Sequence, residues 1–334
     1  MQPAQIWRLK MINNEKQLAF FNKTKLQKFY SNYSYLVSFF ILFLIATIIN
    51  PRFLSYTNLS TLLKQAAIIG IVALGMNMVI IAGMIDLSVG SLVALTAGLG
   101  VIVLNSTGSI FITLIFSLAF GAILGGINGL LITKGKIAPF IVTLATMSAF
   151  RSIIVQLGQG GPFNVSEKAY GKFRLIAAGE IFSIPNLAVI FIITAIIIAV
   201  IMNKTKFGRY IYAVGSNENA TKLTGINVDF IKNSVFCLTG LLSGLSAFLL
   251  SSRLTSITAP NAGLGFELDA IASVAIGGTA MNGGKGKVLG TFLGAIMLQM
   301  INNILVIANI PPFLEGLVKG ITIIIAVLFQ SKNK

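Results

Sequence analysis

The sequence predicts an all-α, polytopic membrane bundle of about ten helices, patterned as two inverted five-helix halves. Three observations carry that prediction. Apolar runs of about 20 residues recur from residue 35 onward, the length needed to cross ~30 Å of hydrocarbon. Only 10% of the residues are charged and mean hydropathy is +0.89, whereas a soluble domain carries about 25% charged residues. The Lys and Arg residues gather in short segments between the runs, as the positive-inside rule requires. Transmembrane strands would instead alternate over ten-residue segments, and no such alternation is present.

Taken in order, residues 1–34 form a basic cytosolic tail, with Arg8, Lys10, Lys16, Lys23, Lys25 and Lys28 against Glu15. Such a tail is attracted to anionic headgroups. Residues 35–334 form the transmembrane domain. The spans fall at approximately 35–50, 58–82, 86–105, 109–132, 137–157, 185–203, 233–253, 267–281, 288–308 and 312–330. Ten crossings place both termini inside, and 17 of the 25 Lys+Arg then lie in cytosolic segments. The expected location is a multi-pass position in the cytoplasmic (inner) membrane. The segment 267–281 is short for a span. A faint repeat pairs the fourth and ninth spans: Gly121-Ala122-Ile123 precedes Pro139-Phe140, as Gly294-Ala295-Ile296 precedes Pro312-Phe313, with the same 18-residue offset. An offset of five spans makes the halves run in opposite directions.

Several polar side chains sit where hydrocarbon is expected. Gly83-Met84-Ile85-Asp86-Leu87-Ser88-Val89-Gly90-Ser91 places a carboxylate and two hydroxyls between apolar runs. An Asp at a helix centre costs roughly 2.5–3.5 kcal/mol on insertion scales, so Asp86 needs a polar path or a protein environment. Asp86, Ser88 and Ser91 can line a translocation path, or Asp86 can cap a helix. Glu267 and Asp269 can face an outer vestibule or complement a helix N-terminus. Asn77, Asn128, Asn302 and Asn303 can hydrogen-bond a polar solute or join helices. Glu315 and Lys319, spaced i, i+4, form a structural pair. Gly121, Gly125 and Gly129 offer a small-residue stripe for close helix contact.

The loop 203–232 reads NKTKFGRYIYAVGSNENATKLTGINVDFIK. Ser216 or Asn217 can cap a short helix, Glu218 falls in its first turn, Lys222 in its last, and Gly225 can close it. A helix of about eight residues is not stable alone in water, so it must dock on its own membrane domain or on a cytosolic partner.

Composition excludes several functions. The net charge of +16 resides in inter-span segments rather than on a nucleic-acid-binding face. Histidine is absent, which removes the commonest metal ligand and the commonest general base near neutral pH. The single Cys237 precludes an internal disulfide. Gly283-Gly284-Lys285-Gly286-Lys287 is no Walker loop: Thr279 stands where the first Gly is required, and Gly286 replaces the Ser/Thr after the Lys. With no catalytic group and no cofactor expected in this chain, it is not expected to be an enzyme.

Three segments, GMIDLSVGSLVALTAG (83–98), GRYIYAVGSNENATKLTGINV (208–228) and GFELDAIASVAIGGTAMNGGKGKVLGTFLGA (265–295), resemble the monosaccharide permeases of bacterial ABC importers, ribose permeases first among them. The resemblance runs from about residue 56 to the C-terminus. It implies a homodimeric translocation path, a separate cytosolic ATPase with two nucleotide-binding modules that binds ATP and Mg, and an extracytoplasmic sugar-binding protein. It also implies that residues 216–225 form the coupling helix, with Ser216, Asn217, Glu218, Ala220, Thr221 and Gly225 meeting the ATPase. The rival expectation is an ion-gradient-driven transporter of a small polar solute.

Overall fold

The computed structural model describes residues 35–308 together with 310, 311, 314, 316–318, 320, 321 and 324. The basic tail, most of the segment 312–330 and the Glu315–Lys319 pair lie outside the described residues. Helix α1 (Tyr35–Ile49) leads into a 3₁₀ turn capped by Asn50, and α2 (Tyr56–Ile81), α3 (Val89–Thr107), α4 (Ile110–Thr133) and α5 (Pro139–Leu157) follow. A cap of β1 (Pro162–Asn164), α6 (Glu167–Ala178) and the hairpin of β2 (Glu180–Ile181) and β3 (Ile184–Pro185) precedes α7 (Asn186–Lys204). Then come α8 (Lys206–Ser216), α9 (Glu218–Leu223), α10 (Val228–Leu254), β4 (Ser256–Thr258), α11 (Phe266–Ile276) and α12 (Val288–Ile307). β4 pairs antiparallel with β1.

Seven of the described helices (α2, α3, α4, α5, α7, α10 and α12) are long and apolar enough to cross a bilayer. α1 is shorter. α11 departs from the expected span over 267–281. Its 11 residues cover only about 16 Å at 1.5 Å per residue, half of the hydrocarbon thickness. Gly277 and Gly278 end it, with Gly278 at φ +84°, a conformation that L side chains rarely adopt.

α2 is the axle of the bundle. Its most apolar stretch is 89% buried inside protein, packed by α7, α10, α11 and α12, whereas those of α4 and α5 are 28% and 22% buried. The exposed faces of α4 and α5 carry Phe111, Ile115, Ile123, Phe140 and Ile141, side chains suited to lipid. The stripe Gly121, Gly125, Gly129 lies on α10, where Gly240 and Gly244 face it. A Cβ at any of these five positions would fall within 3.0 Å of the neighbouring helix. Backbone-on-backbone packing of this kind replaces the hydrophobic driving force that lipid removes.

Candidate functional site: a three-loop joint and a polar cavity

Each end of the bundle carries one feature of functional interest. At the end that holds α9, three loops meet through their backbones. These are the α2–α3 loop, the end of α8 and the α11–α12 loop. Gly284 N–H donates to the Ile81 carbonyl at 2.8 Å. A Cβ on Gly215 would fall on that same carbonyl oxygen and 2.8 Å from Gly284 N. A Cβ on Gly283 would lie 2.9 Å from both Gly215 O and Gly83 Cα. Tyr212 Oη donates to the Gly286 carbonyl at 2.9 Å, and burial raises its phenol pKa, so it stays a donor. The expected tight turn at 283–287 is closed by Ala280 N–H on Lys285 O at 2.9 Å.

The joint also touches the Asp86 network. Asp86 is 1% exposed and accepts from the Ser88 amide at 2.9 Å and from Ser88 Oγ at 2.6 Å. Asn128 Nδ2 of α4 donates to Ser88 Oγ at 2.8 Å, and Ser91 Oγ donates to Ser88 O at 2.9 Å. Asp86 thus closes a turn two residues ahead of itself; Ser88, not Asp86, stands at the N-cap of α3. Asn77 Oδ1 on α2 accepts from Thr279 Oγ1 at 2.8 Å, tying α2 to the α11–α12 loop. Asn77, Asp86, Ser88 and Ser91 are all buried in protein.

α9 hangs from this joint. Asn217 caps it, accepting from Ala220 N–H at 2.9 Å, and Glu218 lies in its first turn as the sequence indicated. Ser216, Asn217, Glu218 and Ala220 are exposed, while Thr221 is buried and donates to Asn217 O at 2.8 Å. Lys232 holds Glu218 at 2.7 Å. The helix is six residues long, shorter than anticipated, because Thr224 ends it and Gly225 turns the chain at φ +82°. Leu223, which the sequence reading passed over, is 89% exposed at its tip.

At the opposite end, α2, α10, α11 and α12 enclose an open cavity of about 650 Å³. Asn302 and Asn303 line it, joined by Asn58, Gln65, Arg253 and Gln299, with Phe266 on the wall. Asn58 and Asn303 exchange amide hydrogen bonds of 3.1 and 2.7 Å. Asn77, Asp86, Ser88, Ser91, Glu267 and Asp269 are not among its lining. Glu267 and Asp269 occupy the first turn of α11, where the helix dipole favours them. Beside them the 259–265 bend is held by Arg151 Nη1, which donates to Ala259 O at 3.0 Å and to Ala262 O at 2.6 Å. Gln65, Arg253 and Gln299 were legible as polar residues within apolar runs, the default mark of a functional interior position.

α11 links the two features: Phe266 at its start lines the cavity, and the loop after its end belongs to the joint. Residues 58–327 match the family model described as "Branched-chain amino acid transport system / permease component". The chain belongs to this permease family. It is 43% identical over 294 residues to a ribose import permease protein of Bacillus subtilis, covering 88% of this chain and 91% of that one. A ribose import permease protein of Haemophilus influenzae is 40% identical, with 87% and 90% covered. An L-arabinose transport system permease protein of Escherichia coli K12 is 32% identical, with 91% of each covered. No solved structure matches the chain. The chain is therefore a multi-pass membrane permease of an importer.

Proposed function

We propose that this chain is the permease subunit of a ribose importer driven by a separate cytosolic ATPase. Two copies form the translocation path, and a sugar-binding protein delivers ribose on the outer side. The α9 end faces the cytosol in this reading, because Lys134, Lys136, Lys204, Lys206, Arg209, Lys222, Lys232, Lys285 and Lys287 all belong to it. Ten crossings in two inverted halves remain part of the proposal, with α11 as the inner half of a broken eighth crossing.

The observation that carries the reading is the three-loop joint above α9. The ATPase seats the exposed face of α9, with Ser216, Asn217, Glu218 and Ala220 on it, Leu223 as its apolar anchor, and Thr221 and Gly225 fixing its shape. Motion of α9 carries the end of α8 with it. Gly215 has no side chain to cushion that motion, so the displacement passes to Ile81 and to the Gly283–Gly284 turn. From there it reaches the α2–α3 loop, with its Asp86–Ser88–Asn128 network, and α11, whose far end lines the cavity. In this scheme Asn302 and Asn303 line the path, while Asn77, Asp86, Ser88, Ser91, Glu267 and Asp269 hold the broken helices that border it. ATP binding must favour one packing of these elements over the other, since a ligand shifts an equilibrium only through differential affinity.

A cross-linking experiment tests the docking. In a Cys237→Ala background, Leu223→Cys should cross-link to cysteines introduced in the groove of the co-purified ATPase. An assembled, ATP-hydrolysing complex in which Leu223→Cys stays freely reactive toward a bulky thiol reagent would refute it.

A further inference from the structure

The cavity holds more unsatisfied hydrogen-bonding capacity than its protein neighbours can use. Gln299 is 3% exposed, yet its Nε2 has no partner. Asn302 Oδ1 is equally unpartnered. Neither the Gln65 nor the Arg253 side chain makes a hydrogen bond or ion pair among the described residues, although both line the same space. Buried polar groups are ordinarily paired, so the two unpartnered buried atoms, Gln299 Nε2 and Asn302 Oδ1, with the half-buried Gln65 and Arg253 side chains beside them, call for an occupant that both donates and accepts. Among the described residues no carboxylate lines the cavity, and the one charged side chain there is Arg253. Its volume of about 650 Å³ falls within the range of small-molecule sites. Phe266 adds one aromatic face to this amide-rich wall.

We infer that this cavity is a binding site for a neutral monosaccharide within a single permease chain. Amides supply paired donors and acceptors for hydroxyls that are themselves both. The guanidinium, which only donates, turns to ring and hydroxyl oxygens, and the ring of Phe266 covers the C–H face of the sugar. Because Phe266 begins α11, a sugar held here rests on the element that reaches the joint at the other end. The inference rests on the importer reading above and adds to it that the permease itself selects its solute rather than leaving selection to a binding protein.

The test uses the purified full chain in nanodiscs, with neither ATPase nor binding protein. D-ribose binding is measured with radiolabelled sugar and by ligand-dependent thermal stabilisation, with sodium ribonate and inorganic phosphate as competitors. We expect saturable ribose binding that Gln65→Leu and Gln299→Leu each weaken at least tenfold. Gln65→Leu at the half-buried wall keeps the test valid should Gln299→Leu fail to fold, which the sugar-free melting curve reveals. Absence of saturable ribose binding, retention of full affinity in Gln65→Leu, or displacement by phosphate and ribonate with no competition by ribose would each overturn the inference. ATP-driven ribose uptake by the same preparation, once assembled with its ATPase and binding protein, separates failure of this site from failure of the importer reading.

Discussion

Gly215→Ala is the sharpest perturbation of the proposed transmission. The added Cβ lands on the Ile81 carbonyl oxygen, the acceptor of the 2.8 Å bond from Gly284 N–H. Restoring a carbon–oxygen contact of ~3.3 Å requires the loops to part by on the order of 1 Å. That stretches the Gly284–Ile81 bond past any useful length. Overpacking costs about 1–3 kcal/mol, and the lost bond adds roughly 1 kcal/mol. A penalty of ~2–4 kcal/mol on the closed joint changes the balance of two packings by more than tenfold, because each ~1.4 kcal/mol is a factor of ten. Gly215 lies outside the membrane-spanning helices, so insertion should survive. The assay is ATP-driven sugar uptake per ATP hydrolysed in proteoliposomes, with permease abundance measured in parallel. We expect at least a tenfold fall in uptake per ATP at unchanged abundance. Gly126→Ala is the control: a Cβ there meets nothing within 4 Å, so uptake should not change. Wild-type coupling in Gly215→Ala would refute the idea that force passes through this contact.

Further consequences follow from the same geometry. Glu218→Arg removes the 2.7 Å bond to Lys232 on an exposed surface, a loss of under about 1 kcal/mol, yet it should sever uptake from ATP hydrolysis while the melting temperature holds. Gly225→Pro forces φ from +82° to about −65° and should produce the same uncoupling with normal insertion, read from membrane abundance and uptake together. Asn128→Leu removes the bond to Ser88 Oγ at the Asp86 network and should cost about 0.6–2 kcal/mol, visible as lowered thermal stability in detergent. Gly125→Leu drives a side chain into the α10 backbone and should abolish folded protein, judged by size-exclusion profile.

Local patterns in the sequence correspond to local structure. The apolar runs give α2, α4, α5, α7 and α12 within a few residues, since Ser, Gly, Pro and Lys punctuate them. The capping of α9 by Asn217 was legible for the same reason: the cap and its amide are three residues apart. α11 is shorter than the span expected over 267–281 because Gly277 and Gly278 end it while the apolar character runs on to Met281. The stripe of Gly121, Gly125 and Gly129 was visible, but its partners Gly240 and Gly244 lie more than a hundred residues away. Distance in sequence hid the cavity as well. Asn58 and Asn303 are bonded across 245 positions, and only folding brings Gln65, Arg253 and Gln299 beside them. Asp86 stood out through its cost in hydrocarbon, yet Asn128, which bonds its partner Ser88, sits 42 residues beyond Asp86 and gives no local sign.

The most direct test of the account is sugar accumulation in proteoliposomes that contain this chain alone, compared with the same chain joined to its ATPase and binding protein. The account predicts no uphill uptake by the isolated chain under proton or sodium gradients, and ATP-dependent accumulation once the partners are added. Gradient-driven accumulation by the isolated chain would contradict it.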